Sequence, residues 1–121
     1  MNKKRKPLNL KNYLIPRLRR VWLTWPERTT VVNRCKVYIH EGTYKNGKER
    51  MRVYKKCENC GKLCADGDYQ VNHIIPVIDP AVGFVDWNTY IERLLCSSDN
   101  LNLLCTECHD EETKRQRATK K

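Results

Sequence analysis

The chain has 121 residues, of which 40% are hydrophobic and 31% charged, and its formal net charge is +10. That length holds one compact core rather than two ordinary domains, and no run approaches the roughly 20 apolar residues that span a bilayer. Eight Lys or Arg and no acidic residue in the first twenty positions point to a polyanionic partner, of which a phosphate backbone is the commonest.

Residues 1–12 are basic and broken by Pro7, Asn9 and Asn12, which predicts a mobile arm rather than a secretion signal, and hence a cytoplasmic protein. Leu14, Ile15, Leu18, Val21, Trp22 and Trp25 recur at helical spacing over Tyr13–Trp25, with Pro16 suited to a first turn. Pro26 can open a second short helix from Glu27 to about Arg34, although Thr29-Thr30-Val31-Val32 would equally suit a strand. Cys35–His40 and Met51–Tyr54 read as a hairpin around Asn46-Gly47. Gln70–Val77 is β-branched, placing His73 at a strand end, and Ile78–Val85 is a loop. Asp86 caps a helix from Trp87 to Leu95, Asp99–Leu104 reads as a short connector, and Cys105 to about Arg117 as a final helix. The organisation expected is a basic arm and helical extension over 1–34, followed by a core over 35–121.

An odd count of seven cysteines argues against a disulfide scaffold. Cys57-x-x-Cys60 and Cys105-x-x-Cys108 have the spacing that turns two sulfurs toward one ion, and two such pairs complete a tetrahedral four-sulfur site. Zinc suits that ligand set, and four protein ligands leave no open position, so the ion would be structural. Cys64 or Cys96 could replace a member of the set, while Cys35 and Cys96 read as small core residues. The staple would hold the strand bearing His73 against the helix bearing His109, with Asn100 between them in sequence.

Cys57-x-x-Cys60, Asn72-His73-Ile74-Ile75-Pro76 and Asn100-Leu101-x-Leu103-Leu104-Cys105-x-x-Cys108-His109 together resemble an HNH endonuclease of the ββα-metal class. Beyond that core, Trp25-Pro26-Glu27-Arg28 and Trp87–Leu94 resemble small phage-encoded members. The resemblance implies an α+β fold: a zinc-stapled ββα-metal domain with an N-terminal helical and hairpin extension. It implies DNA phosphodiester hydrolysis leaving 5′-phosphate and 3′-hydroxyl ends. His73 would be the general base and Asn100 would orient its ring. His109 and Asn72 would hold one divalent cation (Mg²⁺, Mn²⁺, Ni²⁺ or Zn²⁺). It further implies a bacterial host cytoplasm and either a role beside a phage terminase large subunit or a homing or restriction role. Most members carry Asp where this chain has Asn72, which lacks the ligand's negative charge; many carry Lys near Glu112, here within Asp110-Glu111-Glu112.

The alternative is a zinc-ribbon-like module that binds nucleic acid without cutting it. Either reading uses Lys3, Lys4, Arg5, Lys6, Arg17, Arg19, Arg20, Lys114, Arg115 and Arg117 on phosphates. Trp22, Trp25 and Trp87 read as core and His40 as exposed. No element that reads base sequence is identifiable, so weak sequence preference is expected.

Overall fold

The computed structural model describes residues 8–119, so Lys3, Lys4, Arg5 and Lys6 lie outside the described residues. It is an α+β arrangement of four helices and two small antiparallel sheets. Helices α1 (Leu10–Leu23) and α2 (Pro26–Arg34) are followed by strands β1 (Lys36–Thr43), β2 (Glu49–Lys56) and β3 (Leu63–Cys64), which form one sheet in that order. Strand β4 (Tyr69–His73) pairs with β5 (Leu101–Cys105) in the second sheet. Helix α3 (Trp87–Leu94) and a short 3-10 turn (Ser98–Asn100) lie in the long connection between them, and α4 (Thr106–Thr119) follows β5 directly. No helix among the described residues is long and apolar enough to cross a membrane.

Local chemistry sets most boundaries. Asn9 caps α1 by accepting from the Asn12 backbone N–H at 3.3 Å, and Asp86 caps α3 by accepting from Thr89 at 2.7 Å. Pro26 occupies the first turn of α2, where its missing N–H costs nothing. Because α1 starts at Leu10 rather than Tyr13, Pro16 falls inside the helix and not in its first turn. Gly47 takes φ +84° at the β1–β2 turn, the left-handed conformation that the Asn-Gly pair foretells.

The expected connector over Asp99–Leu104 is corrected by the structure: Leu101–Cys105 is a strand, in register with β4 from His73↔Leu101 to Tyr69↔Cys105. Single-sequence pattern hides it because Leu101, Leu103, Leu104 and Cys105 are all buried, so no alternation of apolar and polar residues appears. One face of this ribbon carries Val71, Leu101 and Leu103. It packs against Val31 and Cys35, with Trp22, Val32, Tyr69 and Cys96 closing the sides. Val31, from the segment read as an extension, is therefore a central core residue, 0% exposed. Trp25 closes the same region by donating from Nε1 to the Cys96 carbonyl at 2.7 Å.

Leu103→Ala should lower stability by about 2–5 kcal/mol, the cost of a large-to-small change at a fully buried aliphatic site. Chemical denaturation would measure it, and a loss under about 1 kcal/mol would show that the ribbon is not the centre of the core.

Candidate functional site

The two cysteine pairs converge. The sulfurs of Cys57, Cys60, Cys105 and Cys108 lie within 4.8 Å of one another, and Cys60 Sγ is 3.7 Å from Cys105 Sγ. Metal–sulfur bonds of about 2.3 Å in a tetrahedron give an edge of about 3.8 Å, so the cluster has the dimensions of a four-thiolate zinc site. Each pair folds as a knuckle: the Cys60 N–H donates to Cys57 Sγ at 3.5 Å and the Cys108 N–H to Cys105 Sγ at 3.4 Å. Burial opposes ionisation of Cys57, but backbone N–H groups of Cys60, Cys105 and Asn59 outweigh it and bring the thiol down to about 6. At Cys108 the Asn59 amide favours the thiolate, yet the three neighbouring sulfurs push the thiol up to about 12. Four sulfurs this close cannot all ionise without a cation among them. Cys64 is buried beside the cluster but is not part of it, and Cys35 and Cys96 belong to the hydrophobic core.

A feature the sequence does not advertise locks this centre to the ribbon. The Glu58 backbone N–H donates to the Leu103 carbonyl at 2.8 Å, and its carboxylate accepts from the Leu103 N–H at 2.9 Å. Arg34 grips the same carboxylate through two nitrogens, and its guanidinium also donates to the Ser98 and Leu101 carbonyls. Burial raises the Glu58 carboxyl, but the Arg34 and Leu103 donors prevail and hold it below its ordinary value of 4.5. Its charged form therefore supports the fold fully above pH 4.5, and that support fades on acidification.

His73 ends β4 with its ring packed against Trp22, the centroids 4.2 Å apart and the planes tilted by 38°. Its Nε2 lies 2.9 Å from the Leu94 carbonyl oxygen. A carbonyl only accepts, so Nε2 carries the hydrogen and the neutral ring keeps its lone pair on Nδ1. Burial lowers the His73 pKa below the ordinary 6.5, with Arg28 nearby adding to that shift against the Leu94 contact. The ring is thus neutral near pH 7, the state a proton acceptor needs. It lines a cleft of about 810 Å³ shared with His109 of α4, Arg19 and Arg20 of α1, and Tyr90. Two guanidiniums along one groove favour an anionic occupant.

Asn100 does not orient this ring. Its Oδ1 accepts from the Ile75 N–H at 3.1 Å and its Nδ2 lies 3.7 Å from Cys96 Sγ, so it braces the turn after β4, while Leu94 holds the imidazole. Asn72 points to the other face of the ribbon, where strand alternation sends it, and donates to Asn102 Oδ1 at 3.1 Å. There it lines a separate cleft of about 290 Å³ with Asn59, Glu111 and Glu112. Asn72 and His109 therefore line different clefts, so of the two expected ligands only His109 shares a cleft with His73. Among the described residues, the four cysteines are the one cluster of three or more His, Cys, Asp or Glu close enough to hold an ion. Arg17 folds over Tyr13 of its own helix at 3.6 Å, and Arg115 is paired with Glu112 at 2.6 Å. Lys114 and Arg117 are exposed on α4, and His40 is exposed on β1.

Leu94 and Trp22 could not be assigned to His73 beforehand, because a backbone acceptor and a packing partner carry no motif. No family model, curated protein or solved structure matches this chain.

Purified protein should contain one zinc per chain by atomic absorption, and Cys105→Ser should lose both the ion and the cooperative unfolding transition. A folded, zinc-free Cys105→Ser protein would remove the metal from the account of stability.

Proposed function

We propose that the protein is a metal-dependent endonuclease of the HNH type that hydrolyses phosphodiester bonds in DNA. The observation that carries this reading is the His73 ring, neutral and anchored through Nε2 to Leu94, in a cleft that also holds His109, Arg19 and Arg20. His73 Nδ1 takes the proton from a water molecule as its oxygen attacks phosphorus. The bond from phosphorus to the 3′-oxygen breaks and that oxygen takes a proton from solvent water, leaving a 5′-phosphate and a 3′-hydroxyl. Arg19 and Arg20 hold the phosphate and offset the charge that grows on it. His109 would hold a divalent cation there, which would offset charge on the phosphate. On the same resemblance, the setting is a phage-encoded enzyme in a bacterial cytoplasm, working beside a packaging terminase.

One observation favours the non-cutting alternative, a zinc module that only binds nucleic acid: Asn72 replaces the usual acidic ligand and faces away from the His109 cleft. Supercoiled plasmid incubated with Mg²⁺, Mn²⁺ or Ni²⁺ separates the two. Nicking in at least one metal that His73→Ala reduces by about two orders of magnitude or more supports the enzyme; plasmid that shifts in a gel but stays intact in every metal supports the binder.

The acid limb of the nicking rate should have its midpoint below pH 6.5, because His73 stays deprotonated to lower pH than an exposed histidine. A midpoint above that value would assign the limb to another group.

A further inference from the structure

We propose that the β1–β2 hairpin is a DNA-binding ribbon that lies in the major groove of a duplex. The inference borrows only the partner, DNA, from the nuclease reading; it does not require cleavage.

The two strands project from the four-sulfur centre, β2 ending at Lys56, one residue before Cys57. Each is eight residues long, about 25 Å of extended chain. Lys55 is the one buried residue in the pair, fixed at the base to Asp66 at 2.5 Å, and β3 covers the β2 edge only there. Over the remainder Tyr38, Ile39 and Met51 stand exposed rather than buried, so packing within the fold does not explain its length. Residues 36–56 carry seven Lys or Arg against two Glu. Of those two, Glu41 is occupied by the Tyr54 hydroxyl at 3.1 Å and by Arg52 at 3.7 Å.

The cross-strand register sorts the side chains. Tyr38↔Val53 and His40↔Met51 place Tyr38, His40 and Met51 on one face, with Tyr38 60% and Met51 45% exposed. Arg50 and Arg52 occupy the other face, and Lys45 and Lys48 sit at the turn. Exposed aromatic and thioether side chains cost little if they face base edges and thymine methyl groups, while the flanking cations reach phosphates. The register slips between His40 and Thr43, where Gly42 takes φ +101°, and such a bulge strengthens the right-handed twist of a ribbon. Strands about 4.8 Å apart, with their side chains, fit a major groove about 12 Å wide; the deep, narrow major groove of duplex RNA would not admit them.

The test is binding of the full-length, zinc-loaded protein to a labelled DNA duplex, followed by anisotropy across a salt series without added divalent cation. Replacing Lys45→Gln, Lys48→Gln and Arg50→Gln together should weaken binding at least about tenfold and lower the slope of log affinity against log salt by about 2 to 3. Unchanged affinity and slope would overturn the proposal. In wild-type protein, photocrosslinks from iododeoxyuridine should map within residues 36–56, and crosslinks confined to α1 or α4 would overturn it without any variant. Equal affinity for duplex RNA of the same sequence would overturn the groove assignment. Ribbon-dependent binding without nicking refutes the nuclease reading alone, and nicking with ribbon-independent binding refutes this inference alone.

Discussion

Four sulfurs drawn from distant parts of the chain must share one small volume, and the rest of the structure is arranged around that requirement. Cys57 and Cys60 sit between β2 and β3, and Cys105 and Cys108 straddle the junction of β5 with α4. Bringing them within 4.8 Å fixes where the hairpin leaves the body and where α4 begins. A core this small gains little from hydrophobic burial alone, so a bound ion would dominate its stability. Glu58 makes the constraint rigid. Lying inside the first knuckle, it is bonded at both backbone and side chain to Leu103 and clamped by Arg34 of α2. Helix, knuckle and ribbon are therefore tied together through one residue.

The β4–β5 ribbon divides the surface chemistry in two. Alternation along β4 sends His73 toward α1 and α3 and Asn72 toward α4. The His73 side is aromatic and cationic, with Trp22 against the ring and Arg19 and Arg20 along the cleft. The Asn72 side is amide-rich, with acidic residues from α4. His109 lines the first of these clefts although it belongs to the helix that lines the second. The first cleft thus carries two guanidiniums, while in the second Glu112 is paired with Arg115 and Glu111 adds a further carboxylate.

Interactions that carry no sequence signature set the state of His73. The Leu94 carbonyl dictates which ring nitrogen holds the hydrogen, and packing under Trp22 removes enough water to disfavour the imidazolium. Arg19 and Arg20 reach the cleft only because α1 and α2 pack against the ribbon that bears His73. Helix α1 is thus part of the site's wall, while α2 contributes Val31 to the core.

The amino-acid sequence by itself determined the elements whose signals are local. The helix cap at Asp86, the Asn-Gly turn and the spacing of the two cysteine pairs each act within a few residues, so they are legible without a fold. Three matters were decided only by tertiary structure. The strand at Leu101–Cys105 is buried on both faces, which erases the alternation that would reveal it. Asn100 lies near His73 in the chain's folded order, yet its amide is consumed by Ile75 and Cys96. Asn72 and His109 fall in different clefts because adjacent strand residues face opposite ways, a consequence that appears only once β4 has found its partner. Spacing reports which side chains can share an ion. Which of them share a cleft depends on strand pairing and helix packing across long sequence separations.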